Sequence, residues 1–155
     1  LSVEKASAPI CPEVSTTLSI DGFTVSQTFD ERPDPLMTIS DDDQNSFLLL
    51  TFTRDSVQTD FTCGWRIYRA KTEAQADGEY YLQIDKVVCD FIEIFVNGKS
   101  AYRLSSSVNG APMSSWRCRA VKGEKLDIRF LLKAQDRESS GGAGFAGPVC
   151  LERYS

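Results

Sequence analysis

Five cysteines and 22 aspartates and glutamates are the side chains of this chain whose types and spacing could do chemistry, and histidine is absent. Without histidine, Ser-His-Asp triads, Cys-His pairs and histidine zinc sites are excluded. The cysteines, at positions 11, 63, 89, 118 and 150, form no C-x-x-C pair, which argues against zinc and thioredoxin-like sites. Their wide spacing favours structural disulfides and a secreted or cell-surface location. The alternative is a cytosolic protein with buried thiols.

The carboxylates and the net charge exclude further classes of function. No motif fixes a pair of acids of the kind that glycoside hydrolysis requires, so the chain is predicted not to be an enzyme. A net charge of −5 argues against nucleic acid as a partner. No apolar stretch approaches the roughly 18 residues of a membrane-spanning helix, so no membrane insertion is expected. At this length a single domain spanning residues 1–155 is expected.

The elements that position these side chains have period two, which is typical of β-strands. Residues 91–96 are apolar apart from Glu93, so this strand is predicted to be central and covered on both faces. Cys63, Trp65 and Ile67 alternate, and we expect them on one core-facing side with the indole packed against a disulfide. Further strands are expected at residues 18–20, 23–28, 47–53, 80–85, 102–104, 116–120, 126–132 and 148–153.

Turn dipeptides separate these runs and supply the positive φ angles that tight hairpins require. They are Asp21-Gly22, Asp77-Gly78, Asn97-Gly98, Asn109-Gly110 and Lys122-Gly123. Residues 71–76 are expected to form a loop or a single helical turn, and residues 28–45 and 137–147 are expected to be irregular. The predicted fold class is therefore all-β, an antiparallel two-sheet β-sandwich or jelly roll of about eight or nine strands, stapled by disulfides.

Three segments, in their order and spacing, resemble the CUB domain, an extracellular β-sandwich used for recognition. Residues 63–70 are similar to the family's C-x-W-x-I-x-A strand, and residues 89–98 to its C-x-Y-D-x-L-E-I-x-D-G segment. The residues similar to its L-x-I-x-F-x-S-D…G-F ending are Leu126, Ile128, Phe130, Asp136, Gly144 and Phe145. The resemblance covers residues 63–145 and identifies the chain as a divergent, CUB-like domain whose residues 1–62 do not match.

The resemblance implies two disulfides, Cys11–Cys63 and Cys89–Cys118, and leaves Cys150 free or bonded to another chain. Because five is an odd number, one cysteine remains over in any pairing within the chain. The sequence alone also permits Cys63–Cys89 with Cys118–Cys150. Each loop closed in this way would stabilise the fold by about 3.5 to 4 kcal/mol in the chain-entropy model.

A calcium site is also implied by the resemblance, since many CUB domains bind calcium through loop carboxylates. Asp90 and Asp136 match the family's two aspartates, and Asp85 is the nearest substitute for its glutamate. Calcium is thus the candidate cofactor, and the alternative is three solvated acids. The acidic run at residues 41–43 is a rival cation site, although it lacks the alternating ligand spacing of a dedicated loop.

A basic patch is the candidate partner-binding site. Arg117 and Arg119 alternate with Cys118 and project from the opposite face, and Arg66 or Arg129 would join them if their strands were neighbours. Arginine is favoured at interfaces because its fork pairs with anions, whereas the alternative is an ordinary solvated strand face. An exposed aromatic patch would be a second candidate, although burial is the expectation for most of its members. These are Tyr68, Tyr80, Tyr81, Phe91 and Phe95.

Two functions are compatible with these patterns. The first is an extracellular, non-enzymatic recognition module that binds a protein partner as part of a larger secreted or membrane-anchored protein. The alternative is a carbohydrate-binding jelly roll, because residues 96–99 and 122–126 are similar to the sugar-binding sandwich modules appended to glycosidases. An exposed Trp or Tyr platform would favour a glycan partner, whereas convergence of Asp90 and Asp136 on a cation would favour the CUB-like function.

Overall fold

A computed structural model describes residues 14–20, 22–28, 31–36, 47–51, 62–113, 117–137, 142–145 and 149–154. Within these ranges the chain consists of β-strands without a helix, and so has none that could span a membrane. The strands are β1 (Val14–Ile20), β2 (Gly22–Thr28), β3 (Phe47–Thr51), β4 (Gly64–Glu73), β5 (Gly78–Cys89), β6 (Phe91–Val96), β7 (Lys99–Leu104), β8 (Val108–Met113), β9 (Arg117–Ala120), β10 (Lys125–Ala134), β11 (Gly144–Phe145) and β12 (Val149–Tyr154).

These strands form two antiparallel six-stranded sheets, which confirms the predicted all-β class. In sheet A, β12 lies between β1 and β5, and the long strand β5 is flanked by β12 and β11 on one edge and by β9 and β8 on the other. In sheet B the order is β3–β2–β4–β10–β6–β7. The sheets share the main hydrophobic core, so the domain is a sandwich.

The main core is built by alternate residues of the long strands, as period two requires. On β5 these include Tyr80, Leu82 and Ile84, and on β10 they include Ile128, Phe130 and Leu132. Phe145 of sheet A ties the two layers together, because its ring meets Tyr68 at 5.0 Å and Phe130 at 5.2 Å, both edge-on. This geometry is the favoured one for packed aromatic rings.

Sheet B is also apolar on its outer face. A second buried cluster there consists of Ile67, Phe91, Phe95 and Leu131, with Trp65 packed against it. The burial of β6 on both faces confirms the prediction for residues 91–96, and β6 is an interior strand of its sheet. The orientation predicted for Trp65 is wrong, because Tyr68 and Ala70, of the opposite parity on β4, face the main core.

The cysteines contradict the predicted disulfides. Cys63, Cys89, Cys118 and Cys150 are all free thiols, and Cys11 lies outside the described residues. Trp65 therefore does not pack against a disulfide at Cys63. Free thiols match the alternative considered from the sequence. The extracellular location rested on disulfides and stays a prediction without that support.

Strand register explains why two of the predicted bonds are not formed. Cys118 lies opposite Tyr80 near the start of β5, whereas Cys89 ends that strand roughly 30 Å away, far beyond the Cα separation of about 7 Å that a disulfide spans. Cys150 lies opposite Gln83, whose parity on β5 differs from that of Tyr80. Cys118 and Cys150 therefore project from opposite faces of sheet A and cannot bond to each other.

Two local predictions also differ from the structure. Strand β4 continues to Glu73, so part of the predicted loop at residues 71–76 is strand. The dipeptide Asn109-Gly110 lies inside β8 rather than in a turn, because Asn109 pairs with Val88 and Ala111 pairs with Val87. Gly110 is thus the extra residue of a β-bulge, and its φ of 82° meets the same backbone requirement as a hairpin turn.

Candidate functional site

The three acids predicted to bind calcium do not meet. Asp85 is exposed on β5, and roughly 16 Å of extended chain separates it from Asp90. Asp136 is exposed beyond the end of β10. In the part of the chain that the structure describes, no three His, Cys, Asp or Glu side chains are grouped as a metal site. The structure therefore does not group these three acids, and calcium binding stays a prediction; the rival run at residues 41–43 lies outside the described ranges.

Asp90 is instead paired with Arg137, whose Nε and Nη2 donate to its two carboxylate oxygens at 2.8 and 2.7 Å. The backbone N–H of Gln135 and the hydroxyl of Ser107 donate to the same carboxylate at 2.7 and 2.9 Å. The hydrogen bonds from Arg137 are the main cause that holds the pKa of Asp90 below its usual value. Because Asp90 follows β5 and Arg137 follows β10, this pair links the ends of the two sheets.

The predicted basic patch does not extend beyond β9. Arg119 is exposed there opposite Glu79, and Arg117 lies opposite Tyr81. Arg66 and Arg129 belong to sheet B, so the structure does not bring them to this strand. Partner binding at Arg117 and Arg119 stays a prediction.

Arg66 is only 4% exposed and lies at the inner side of β4. Its Nε donates to Gln27 Oε1 at 2.6 Å, and its Nη1 donates to the Tyr68 hydroxyl at 3.2 Å. Burial of Tyr68, Tyr80, Phe91 and Phe95 confirms the expectation for most of the aromatic set, while Tyr81 is half-buried on the outer face of sheet A.

The outer face of sheet B carries a row of alternating rings and cations. Strand register puts Trp65, Lys133 and Phe91 side by side on β4, β10 and β6. Lys133 Nζ is 5.2 Å from the Trp65 centroid, and Trp65 meets Phe91 edge-on at 5.8 Å. Arg103 Cζ lies 5.3 Å from the Phe91 centroid, and Arg32 Cζ lies over both rings at 5.6 and 5.3 Å. We call these five residues the aromatic–cation row.

Residues 31–36, which we call the strap, position Arg32 above this face. Arg32 Nη2 donates to Glu93 Oε1 at 2.9 Å, which ties the start of the strap to β6. Arg129 Nη1 on β10 donates to the carbonyl of Pro35 at 3.2 Å, which ties its other end to the same sheet. The strap therefore crosses the outer face of sheet B and covers part of the second hydrophobic cluster.

The aromatic–cation row is positively charged. In the part of the chain that the structure describes, its one contacting carboxylate is that of Glu93. Glu93 is 7% exposed and accepts hydrogen bonds from Arg32 and from the Ser100 hydroxyl, the latter at 2.7 Å. Arg103 and Lys133 make no ion pair with any described residue. Since Arg103 is exposed and Lys133 is half-buried, both charges are accessible to a ligand.

A second charged group lies on the same face, roughly 13 to 20 Å from Lys133 along β10. Asp127 Oδ2 is 2.9 Å from Arg69 Nη2 and 3.3 Å from Arg129 Nη2. Burial by itself would raise the pKa of Asp127, but the hydrogen bonds and charges of the two arginines outweigh it and lower that pKa. This group adds two cations and one carboxylate to the outer face of sheet B.

The two segments with similarity to sugar-binding modules lie together. Asn97 and Gly98 form the β6–β7 turn with φ angles of 50° and 83°, as predicted for a tight hairpin. The backbone N–H of Asn97 donates to the carbonyl of Asp127 at 2.9 Å, and Asn97 Oδ1 accepts from the N–H of Asp127 at 2.9 Å. The turn is therefore fixed to the start of β10, directly after the turn at residues 122–123.

Sequence reasoning identified only part of this site. The strand pattern predicts that Trp65 faces the core, and Phe91 belongs to the predicted aromatic set. Arg32 lies in a proline-containing segment that shows no strand period, so no local pattern relates it to the sheet. Lys133 and Arg103 fall on the outward parity of their strands, which was the available signal. Which residues lie beside them depends on the pairing of strands that are distant in sequence.

Comparisons with known proteins bear on the fold. No protein-family model matches the sequence, and no curated protein is similar to it. Among solved structures, β-glucuronidase of Faecalibacterium prausnitzii is similar with a TM-score of 0.63 and 15% identity, over 94% of this chain and 32% of that one. A GH2 β-galacturonidase of Eisenbergiella tayi is similar with a TM-score of 0.60 and 10% identity, over 96% of this chain and 26% of that one. The likeness establishes the fold.

The chain therefore spans about a third or less of the length of these enzymes. The same holds for β-glucuronidase of Dictyoglomus thermophilum, with a TM-score of 0.53 and 11% identity over 94% of this chain and 29% of that one. Nearly the whole described sandwich thus has its counterpart in a part of each larger glycosidase. None of these comparisons tests the CUB resemblance, which stays a prediction.

Proposed function

We propose that this chain is a non-catalytic β-sandwich module that binds carbohydrate and serves a larger carbohydrate-processing protein. The observation that carries the proposal is the match of 94% of this chain to 32% of a β-glucuronidase. A fold by itself does not define a function, so the site must supply the rest of the argument.

The site supports a glycan ligand better than the calcium-linked function. The Asp90 carboxylate is committed to Arg137, and Asp85 lies roughly 16 Å from Asp90 along β5. Trp65 is half-buried on the outer face of sheet B, and the buried ring of Phe91 meets it at 5.8 Å. Aromatic faces beside polar groups are common in small-molecule sites, because the ring covers the apolar face of the ligand and the polar groups orient it.

The two turn segments add independent support. Residues 96–99 and 122–126 are similar in sequence to sugar-binding sandwich modules. They are adjacent in the fold, since Asn97 is hydrogen-bonded to Asp127 at the start of β10. Binding of a protein partner, the first function weighed, has no comparable supporting contact among the described residues.

The test is affinity electrophoresis of the whole chain through gels that contain neutral or acidic polysaccharides, followed by isothermal titration with oligosaccharides of the retarding polymer. We expect retardation by at least one polysaccharide and no release of product from chromogenic glycosides. Trp65→Ala should weaken binding about tenfold, as expected for loss of a stacking ring. Trp65→Phe should retain most of the affinity.

Tyr81→Ala on the outer face of sheet A is the matched control and should bind as the wild type does. Failure to bind any carbohydrate at millimolar concentration would overturn the proposal. Hydrolysis of a chromogenic glycoside by the purified chain, abolished by a single acid substitution, would show that it is an enzyme instead.

A further inference from the structure

We infer that the ligand of the aromatic–cation row is an acidic oligosaccharide, one with carboxylates on at least two of its sugar units. The inference rests on the proposed carbohydrate-binding function and deepens it by naming the chemical class of the ligand. Neutral sugars would be recognised by hydrogen bonding and stacking alone, whereas this site offers accessible cations beside its rings.

The aromatic–cation row carries more positive than negative charge among the described residues. Three cations, Arg32, Arg103 and Lys133, face the two rings, and among the described residues Glu93 is the one carboxylate in contact with them. Glu93 is occupied by Arg32 and Ser100, so it does not neutralise the other two cations. A carboxylate ligand would therefore meet charge that no described acid balances.

The two accessible cations, Arg103 and Lys133, lie at separate places on the sheet. Arg103 and Lys133 are two strands apart and two residues apart along the strands, because Lys133 lies opposite Phe91 and Arg103 lies opposite Glu93. Their Cα atoms are thus about 12 Å apart on the pleated sheet. Arg103 packs against Phe91 and Lys133 packs against Trp65, so the two cations offer separate positions for carboxylates. A chain of sugars with repeated carboxylates matches two separated cations with rings between them.

Each of the two rings is in contact with two of the cations. Lys133 and Arg32 flank Trp65, and Arg32 and Arg103 flank Phe91. A cation held against a ring keeps part of its positive potential directed outward, and the ring keeps water from one side. Phe91 is 7% exposed and lies beneath Arg32 and Arg103, so the half-buried Trp65 is the ring that the apolar face of a pyranose can reach. The cations beside it can pair with a carboxylate of the same ligand.

The outer faces of sheets A and B differ in their balance of charge. The chain as a whole is acidic, with a net charge of −5. The outer face of sheet A carries Glu79, Asp85 and Glu152, and the last two are close enough to raise the pKa of Cys150 together with its burial. By strand register, Arg117 and Arg119 lie on the same face of sheet A as these acids. On the outer face of sheet B, Arg32, Arg69, Arg103, Arg129 and Lys133 outnumber Glu93 and Asp127 among the described residues, so this face favours an anionic ligand more strongly than that of sheet A.

The experiment is isothermal titration of the whole chain with tetragalacturonate and with the same tetrasaccharide methyl-esterified at every carboxyl group. We expect the acid to bind at least tenfold more tightly than the ester, a difference of about 1.4 kcal/mol. Arg103→Gln and Lys133→Gln should each weaken binding of the acid about tenfold and so reduce the advantage of the acid over the ester. The advantage of the acid should fall as salt is raised.

Arg119→Gln on the outer face of sheet A is the control, since it removes an exposed arginine at a distance from the row. Equal affinities for acid and ester would overturn the inference and leave the carbohydrate-binding proposal standing. Absence of binding to either, in a chain that also fails the polysaccharide panel, would overturn both. An equal loss in Arg119→Gln, or equally tight binding of an oligonucleotide of the same charge, would also overturn the inference.

Lys133→Arg keeps the charge and should retain the preference for the acid. Circular dichroism of each variant checks that the sandwich is folded. Because Arg103 is exposed and Lys133 is half-buried, neither substitution removes a side chain from the main core.

Discussion

Substitution of Asp90 by Asn should destabilise the sandwich more than the same substitution at an exposed aspartate does. Each oxygen of the Asp90 carboxylate accepts two hydrogen bonds, Oδ1 from Ser107 and Arg137 and Oδ2 from Gln135 and Arg137. An amide of the same shape replaces one of these acceptors by a donor, so it loses two of the four bonds and the charge.

The magnitude follows from the burial of the pair. The side chains of Arg137 and Asp90 are 8% and 17% exposed, so the interaction is only weakly screened by solvent. Hydrogen bonds to charged groups contribute roughly 1.5 to 3 kcal/mol each, and removing one partner of a buried pair costs about 3 to 5 kcal/mol. Because Asp90 keeps some contact with water, we expect the low end, about 3 kcal/mol of the free energy of unfolding.

The assay is urea unfolding at neutral and acidic pH, with the free energy obtained by linear extrapolation. The folded pKa of Asp90 is lowered from 3.8, so its stabilisation is fully present above about pH 4 and is lost as the pH falls through the folded pKa. The gap between wild type and Asp90→Asn should therefore be constant from pH 7 to about pH 5 and should close toward pH 2.

Asp85→Asn is the matched control, an exposed acid on the same strand, and should change stability by less than about 0.5 kcal/mol. A loss below 1 kcal/mol in Asp90→Asn, or a gap that does not change with pH, would refute the view that this ion pair links the two sheets.

Three further outcomes are expected. Burial raises the pKa of the Cys89 thiol to about 12, so thiol reagents at pH 8 should leave Cys89 unmodified until the chain is unfolded, and mapping without reduction should show no bond to it. Phe130→Ala should cost about 3 to 5 kcal/mol in urea unfolding, because the fully buried ring contacts Phe145, and a cost under 1 kcal/mol would contradict the core assignment. Arg32→Ala should free the strap at Glu93 and speed proteolysis within residues 31–36, whereas Arg119→Ala should not, and equal cleavage of both would contradict the anchoring contact.

The strands could be predicted from the sequence because the alternation of apolar and polar residues is a local property. Residues 91–96 are apolar on both parities, and β6 is buried on both faces. The turn at Asn97-Gly98 was predicted from its backbone requirement and has the positive φ angles expected. The same reasoning failed at Asn109-Gly110, because a β-bulge and a hairpin turn both use a glycine of positive φ.

The site was harder to predict from the sequence because the residues that contact one another are far apart in the chain. Asp90 and Arg137 are 47 residues apart, and Arg32 and Glu93 are 61 residues apart. No spacing rule connects such pairs. The disulfide predictions failed for a related reason, since the parity and strand position of Cys118 depend on which strand lies beside β9.

The amino-acid sequence by itself determined that this chain forms antiparallel strands, since alternation of apolar residues and Gly-containing turns are properties of a few neighbouring residues. It did not determine which parity of β4 faces the main core, because Trp65 and Tyr68 are both large and apolar enough to fill it. Only the packing of sheet A against sheet B decided that Tyr68 is inside and that Trp65 lies outside with the cations. The physical reason is that strand formation is a short-range property, whereas burial is settled by partners brought together from distant parts of the chain.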